Sequence, residues 1–422
     1  MTRLLLTCLA SLLVLCEGVA AADVTGVAIL SDAPLGTFAG RPYREGSLQL
    51  SGRAPGGPYR VPVTIAYPTR PTDANGAALI DVPDATAPAP LAVAQADLGE
   101  RYLLGTGNVH LSVLWDKAAL EAAGTGSLAA ATDAAEVLRD TARLARNTGW
   151  IPYPAGFDRP PAASRVVAYG YGRPAALLRG FHAGRENTRD GLAFDGTVLA
   201  AVASGCARPA APLAFFPCDG AIADGGKVSV VQTQTDVERG AVAARGETGD
   251  YRVIELPGTA RLPVPRRDLR ALGNPAQNPV GLGPVLRAVH HNLLAWIKGT
   301  TPPPSRYLTL RGVQPAAPAA DADGNALGGV RLPHMPSLSR GVTRGAPLGA
   351  YGGVLHGAGD PLLSDSGTFT PFPDARLREL YPTHERYVER VTRAADRLLA
   401  RRYLLKPARD AYVRAARRAA VP

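Results

Sequence analysis

The chain has 422 residues, 46% of them apolar, and a net charge of +10 from 46 Lys and Arg against 36 Asp and Glu. That length suits one large or two ordinary domains, and the apolar share supports a real core and excludes wholesale disorder. Lysine occurs only at Lys117, Lys227, Lys298 and Lys406, and the arginines are not interleaved with aromatics as in a nucleic-acid module, so no nucleic-acid partner is expected.

Residues 1–22 read as a secretory signal peptide. Met1-Thr2-Arg3 gives a cationic start, an apolar run reaches Cys16, and Ala20, Ala21 and Ala22 form a small-residue exit before Asp23. The run is shorter than the roughly 20 apolar residues of a membrane span. Leu15 ahead of Cys16 argues against a lipidation site. The mature protein is therefore expected to be exported, secreted or periplasmic, with no membrane span.

Strands are expected over residues 59–67, 77–82 and 109–115, each bounded by Gly, Pro or Asn, with Pro62 placing the first toward a sheet edge. Residues 128–144 turn helical, with Val137, Leu138, Ala142 and Leu144 as apolar positions. Strands at 165–171, 198–203, 228–232 and 251–256 follow, with helices at 175–181 and 285–297 between or after them. Such alternation predicts a mostly parallel α/β sheet flanked by helices. Residues 315–323 read as a surface connector, and a long loop region reaches to about 373. Two helices close the chain at 383–402 and 408–419. From Asp374 onward thirteen Arg or Lys face six Asp or Glu, which reads first as a solvated helical face and second as a surface for an anionic envelope partner.

Cys8 and Cys16 fall in the signal segment, leaving Cys206 and Cys218 as the mature pair. In an oxidising compartment two cysteines this close in sequence are expected to form a disulfide. No H-E-x-x-H, C-x-x-C or clustered His/Asp/Glu spacing occurs, and Asp321, Asp323 and Asn325 lack the terminal glutamate of a calcium loop, so turn chemistry is expected there. Neither a metal nor another cofactor is expected.

The most telling stretch begins at Arg165. A buried strand, a sharp turn and a helix start are the context in which a G-x-S-x-G elbow presents a nucleophilic serine. Here the five elbow positions are Gly170, Tyr171, Gly172, Arg173 and Pro174. Gly172 has no side chain with which to attack.

Several further segments occur in a shared order: Phe194-Asp-Gly196, Thr233-Gln-Thr-Asp-Val237, Tyr251-Arg-Val-Ile-Glu-Leu-Pro-Gly-Thr-Ala260, Trp296 ahead of Gly299-Thr-Thr-Pro-Pro-Pro-Ser-Arg306, Leu327-Gly-Gly-Val-Arg-Leu-Pro333 and Gly367-Thr-Phe-Thr-Pro-Phe372. With the elbow, they resemble the α/β-hydrolase-domain family of bacterial secreted proteins over residues 165–412. The resemblance implies one α/β-hydrolase-like domain over residues 23–422, with a β-rich part at 23–150 and a helical extension at 374–422. It also implies a Ser-acid-His triad. Carried over by position, the nucleophile slot is Gly172, the acid slot is Asp236 and the histidine slot is Arg261. The backbone N–H of Arg173 is the oxyanion-hole candidate.

Serine attacks only when a histidine takes its proton and an acid fixes the imidazole. Gly172 offers no hydroxyl, and the Arg261 guanidinium stays protonated at physiological pH. An Asp236–Arg261 ion pair is the expected replacement. Ser204 lacks the elbow glycines. Adjacent His290 and His291 cannot face the sheet together, and His182 is expected at the surface just past the elbow helix. The sequence thus predicts a ligand-binding or scaffolding protein with an unidentified small molecule in a degenerate pocket. The alternative is an ester or amide hydrolase with a non-standard site.

Overall fold

The computed structural model describes residues 24–84, 98–153, 159–202, 205–208, 211–216, 222, 224–240, 248–262, 277–312, 317–334 and 346–421. The signal segment, Ser204 and Cys218 lie outside them.

Strands β1 (Val24–Phe38), β2 (Arg41–Ala54) and β3 (Gly57–Pro68) form an antiparallel meander. Alternate residues of β2, such as Leu48 and Leu50, are buried, the period of a strand with one covered face. In sheet order β3 is followed by β5 (Val109–Val113), which runs antiparallel to it. Then come β4 (Ala77–Val82), β7 (Arg165–Tyr171), β8 (Gly196–Ala200), β11 (Lys227–Thr233) and β12 (Tyr251–Leu256), all parallel from β5 onward. β6 (Ser127–Leu128) completes the 10-stranded sheet by pairing with β3. β9 (Cys206–Arg208) and β10 (Ala211–Phe216) pair with each other outside it. The central parallel strands are buried almost continuously, as expected where helices cover both faces.

Pro62 departs from expectation. β3 is an internal strand, with β2 on one side and both β5 and β6 on the other. Leu114 N–H donates to the Pro62 carbonyl (3.4 Å), so the missing Pro62 N–H faces the same side. There it falls in the gap between the Val63–Val113 and Arg60–Ser127 pairings, where a lost donor breaks no ladder bond.

Helices α3 (Ala134–Arg146) and α4 (Arg173–Ala183) cover one face of the sheet, packing Leu138, Leu178 and Phe181 against Ile65, Val166 and Ala168. On the other face α1 (Glu100–Gly105) and α6 (Gly283–Ile297) pack Leu104, Leu286 and Leu293 against Val167, Tyr169 and Val231. Between these lie α2 (Lys117–Ala123), capped by Asp116 on Ala119 N–H (2.9 Å), and the short α5 (Gln234–Glu238). After α7 (Pro361–Ser364), helices α8 (Asp374–Leu380), α9 (His384–Ala400) and α10 (Lys406–Arg418) form the C-terminal region. Tyr387, Val391 and Ala416 make a core of their own, while Tyr403, Leu404 and Ala408 tie it to the sheet. Among the described residues no helix is long and apolar enough to cross a membrane.

Three stretches differ from the sequence expectation. Part of the proposed connector is a small hairpin of β13 (Leu310–Arg311) with β14 (Ala317–Pro318), next to a buried Ala319. The loop expected up to 373 contains a second hairpin, β15 (Gly349–Gly352) with β16 (Thr368–Pro371). His182 lies inside α4 rather than beyond it. It is 2% exposed, with Nε2 2.8 Å from the Thr197 hydroxyl, because the helix runs two residues past Phe181.

Candidate functional site

Parallel neighbours end at the same edge of a sheet, so the loops after β7, β11 and β12 are brought together by topology. These loops carry Gly172, Asp236 and Arg261.

Gly172 follows β7 and precedes α4, with φ 65° and ψ −119°. This backbone region is costly for a residue with a side chain. Its N–H donates to Ala200 O (2.9 Å), and its carbonyl accepts the first turn of α4 from Ala176 N–H (3.2 Å). Among the described residues, a Cβ built on Gly172 would meet no heavy atom within 4 Å. Gly170 is the opposite case. A Cβ there would sit 2.7 Å from Ala175 N, so only glycine lets α4 pack this close to β7. Arg173 heads α4, its guanidinium 3.6 Å from Asp84 and 3.9 Å from Asp116.

Asp236 lies in α5, immediately after β11. Thr233 caps that helix, accepting from Asp236 N–H (3.2 Å) while its own hydroxyl (2.7 Å) and N–H (2.8 Å) donate to the Asp236 carboxylate. Arg261 Nε (3.0 Å) and Nη2 (2.7 Å) both donate to Asp236 Oδ1. Asp236 is fully buried. Burial pushes its carboxyl above the ordinary carboxylate range, while Arg261 and Thr233 pull it down.

Arg261 is held from three directions. Its N–H donates to the Thr235 hydroxyl (3.0 Å), its carbonyl accepts from the Tyr171 hydroxyl, and its Nη1 donates to Asp365 (3.0 Å). Asp365 also pairs with Arg239 at 2.6 Å. Burial works against the guanidinium charge, but Asp236 and then Asp365 hold it above its ordinary value. The expected Asp236–Arg261 pair is therefore present, and Tyr171 links it to the elbow. Asp365 was not foreseen. It is 104 residues from Arg261 along the chain, and no local pattern marks it.

Other sequence candidates lie elsewhere. His290 is buried in α6, its Nδ1 3.1 Å from the Tyr102 hydroxyl, while His291 is exposed. Burial lowers the His290 pKa to about 4. Asp321 accepts from Asp323 N–H (3.0 Å) and Asn325 N–H (2.9 Å), the turn chemistry expected there. Among the described residues no three His, Cys, Asp or Glu side chains gather where they could hold a metal ion. Cys206 is buried, and its expected partner lies outside the described residues.

Chemically, the three positions supply no attacking oxygen and no neutral base. They supply a fixed cation between two carboxylates, beside a backbone turn with room above it.

No curated protein sequence matches this chain. Among solved structures it is similar to the rice cell wall degrading esterase LipA from Xanthomonas oryzae, at 11% identity over 42% of this chain and 50% of that one, TM-score 0.27. It is also similar to an esterase from Pyrobaculum calidifontis, at 13% identity over 50% and 67%, TM-score 0.27. Brefeldin A esterase, a bacterial homologue of human hormone sensitive lipase, aligns at 12% identity over 41% and 42%, TM-score 0.25. The chain spans about half the length of the Xanthomonas esterase. Residues 37–414 match the alpha/beta hydrolase domain family, and the chain belongs to that family.

Proposed function

We propose that this protein is an exported member of the family in which Ser-His catalysis has been lost, and that it binds a small molecule or serves as a scaffold. The observation that carries this reading is the bidentate clamp of Arg261 on Asp236. In a working triad the acid orients an imidazole that accepts the nucleophile's proton. Here the acid is bound to a permanent cation, whose carbonyl accepts from Tyr171 of an elbow whose central residue is glycine. Arginine neutralises a buried carboxylate that would otherwise stand alone, which explains why Asp236 persists without a histidine. The unfilled space at Gly172 is room for a ligand group where a serine would project.

Retention of Asp236 also motivates a second reading, a hydrolase in which Asp236 activates water. Against it, the Asp236 side chain is fully enclosed and engaged by Thr233 and Arg261. The test is turnover of short-chain nitrophenyl esters by the wild type, by Asp236→Asn and by Gly172→Ser/Arg261→His. The binding reading expects no turnover above buffer in the first two, and a gain in the double variant. Wild-type turnover abolished by Asp236→Asn would establish the second reading instead.

Export rests on the character of residues 1–22, and the continuity of the sheet from β1 to β12 supports one domain over residues 23–422. A Cys206–Cys218 bridge goes with an oxidising compartment. Protein recovered from the bacterial periplasm should begin at Asp23 and carry no reactive thiol after denaturation. Two reactive thiols would rule the bridge out.

A further inference from the structure

The opposite end of the same strands carries a concave feature. A cavity of about 400 Å³ opens there, lined by Lys227, Arg252, Trp296, Ile297, Thr301 and Pro302 among others. Lys227 begins β11, whereas Asp236 lies beyond its other end. Seven strand residues at about 3.3 Å each put the two places on the order of 20 Å apart.

Two cations meet over one aromatic ring. Lys227 Nζ is 5.5 Å, and the Arg252 guanidinium carbon 5.1 Å, from the Trp296 ring centroid. Their charges are balanced differently. Lys227 is paired with Asp250. Arg252 donates from Nη1 only to backbone carbonyls, those of Thr248 (2.6 Å) and Tyr251 (2.8 Å), and its Nε is buried with no hydrogen-bond partner. Among the described residues no carboxylate faces it. Arg402 adds charge at the rim, donating to the Thr301 carbonyl at 2.8 Å. The Arg252 side chain as a whole is only half-buried and lines the cleft, and a planar carboxylate fits the geometry of a guanidinium. Trp296, Ile297 and Pro302 supply apolar wall, interrupted by the polar Thr301. The volume lies toward the small end of the roughly 300–1,000 Å³ spanned by ligand sites.

We infer that this cleft is a binding site for a small organic carboxylate with an apolar or aromatic body. The carboxylate lies against Arg252, and the body lies along Trp296 and Pro302. The site is separate from the Gly172 pocket and does not depend on the reading of that pocket.

Benzoate is the probe, followed through the indole N–H signals of full-length protein labelled at its three tryptophans, with Trp296→Phe assigning the signal. Benzoate should shift the Trp296 signal saturably, with a Kd below about 1 mM. The neutral isostere benzamide should bind at least about tenfold more weakly, and Arg252→Gln should weaken benzoate by about tenfold or more. Thr301→Trp, which fills the mouth and leaves Arg252 in place, should abolish the shift in a protein whose remaining spectrum is unchanged. The inference is overturned if benzoate does not saturate, if benzamide binds equally well, or if both variants bind as the wild type does.

Discussion

Arg252 and Arg261 stand near opposite ends of β12, and their surroundings could hardly differ more. Arg261 lies between two carboxylates, and its side-chain bonds to Asp236 and Asp365 are charge-assisted. Arg252 has carbonyl oxygens on one side, an indole ring on another and an acceptorless Nε. At one end of the sheet the arginine is neutralised by carboxylates, and at the other it meets carbonyls and a ring. In this fold the carboxyl ends of the strands are where catalysis would be sought, yet the unbalanced cation is at the amino ends.

The contrast can be broken most forcefully at Arg261. Replacing it by Met leaves Asp236 buried without its counter-ion, at an expected cost of about 3–5 kcal/mol in denaturant unfolding. A loss well below 1 kcal/mol would mean that the clamp does not balance Asp236. Buried groups that lack a counter-charge also set the response to acid. His182, His290 and His334 are held near pKa about 4 by burial, below an unfolded value of about 6.5. Their contribution is full above the unfolded pKa and is lost as pH falls toward the folded one, at about 1.4 kcal/mol per pH unit for each histidine. Asp140 opposes this trend. Burial raises its carboxyl to about 6, despite Tyr59 and Arg143, so it binds its proton earlier in the folded chain. Between pH 6 and 4 the three histidines and Asp140 together give a net loss of about 2.8 kcal/mol per pH unit. Urea midpoints at pH 6 and pH 5 measure it, and a flat or rising profile would contradict it.

Smaller effects sharpen the comparison. Gly172→Ala places a Cβ in open space but on a left-handed backbone, so it should cost about 1–3 kcal/mol through strain alone. An unchanged midpoint would show that the turn relaxes freely. Arg252→Gln should change stability by less than about 1 kcal/mol, because no carboxylate is stranded when it goes. A loss comparable to that of Arg261→Met would mean that Arg252 is a structural cation and not a ligand group.

Much of the frame is legible in the chain. β4, β7 and β12 have the bounds that their apolar runs and flanking turns suggest, and the elbow is announced by glycine and proline placed after a buried strand. The Asp236–Arg261 pair follows from charge logic once the family positions are assigned. What escapes are contacts between distant segments. Asp365 reaches Arg261 from a loop, and the Trp296 cleft joins a helix end to the starts of two strands. His182 escaped because helix ends are poorly marked, and two more helical residues moved it from surface to core. The buried charges of α3 were half visible. Glu136, Arg139, Asp140 and Arg143 have the spacing of a helical ion-pair face, but only the fold places Tyr59 and Glu186 against them.

The proposal that no serine is activated is tested most directly by incubating the wild-type protein with a fluorophosphonate probe and mapping any adduct by peptide mass. The account predicts no saturable label on the wild type and a label at position 172 in Gly172→Ser/Arg261→His. A saturable adduct on any serine of the wild type would contradict it.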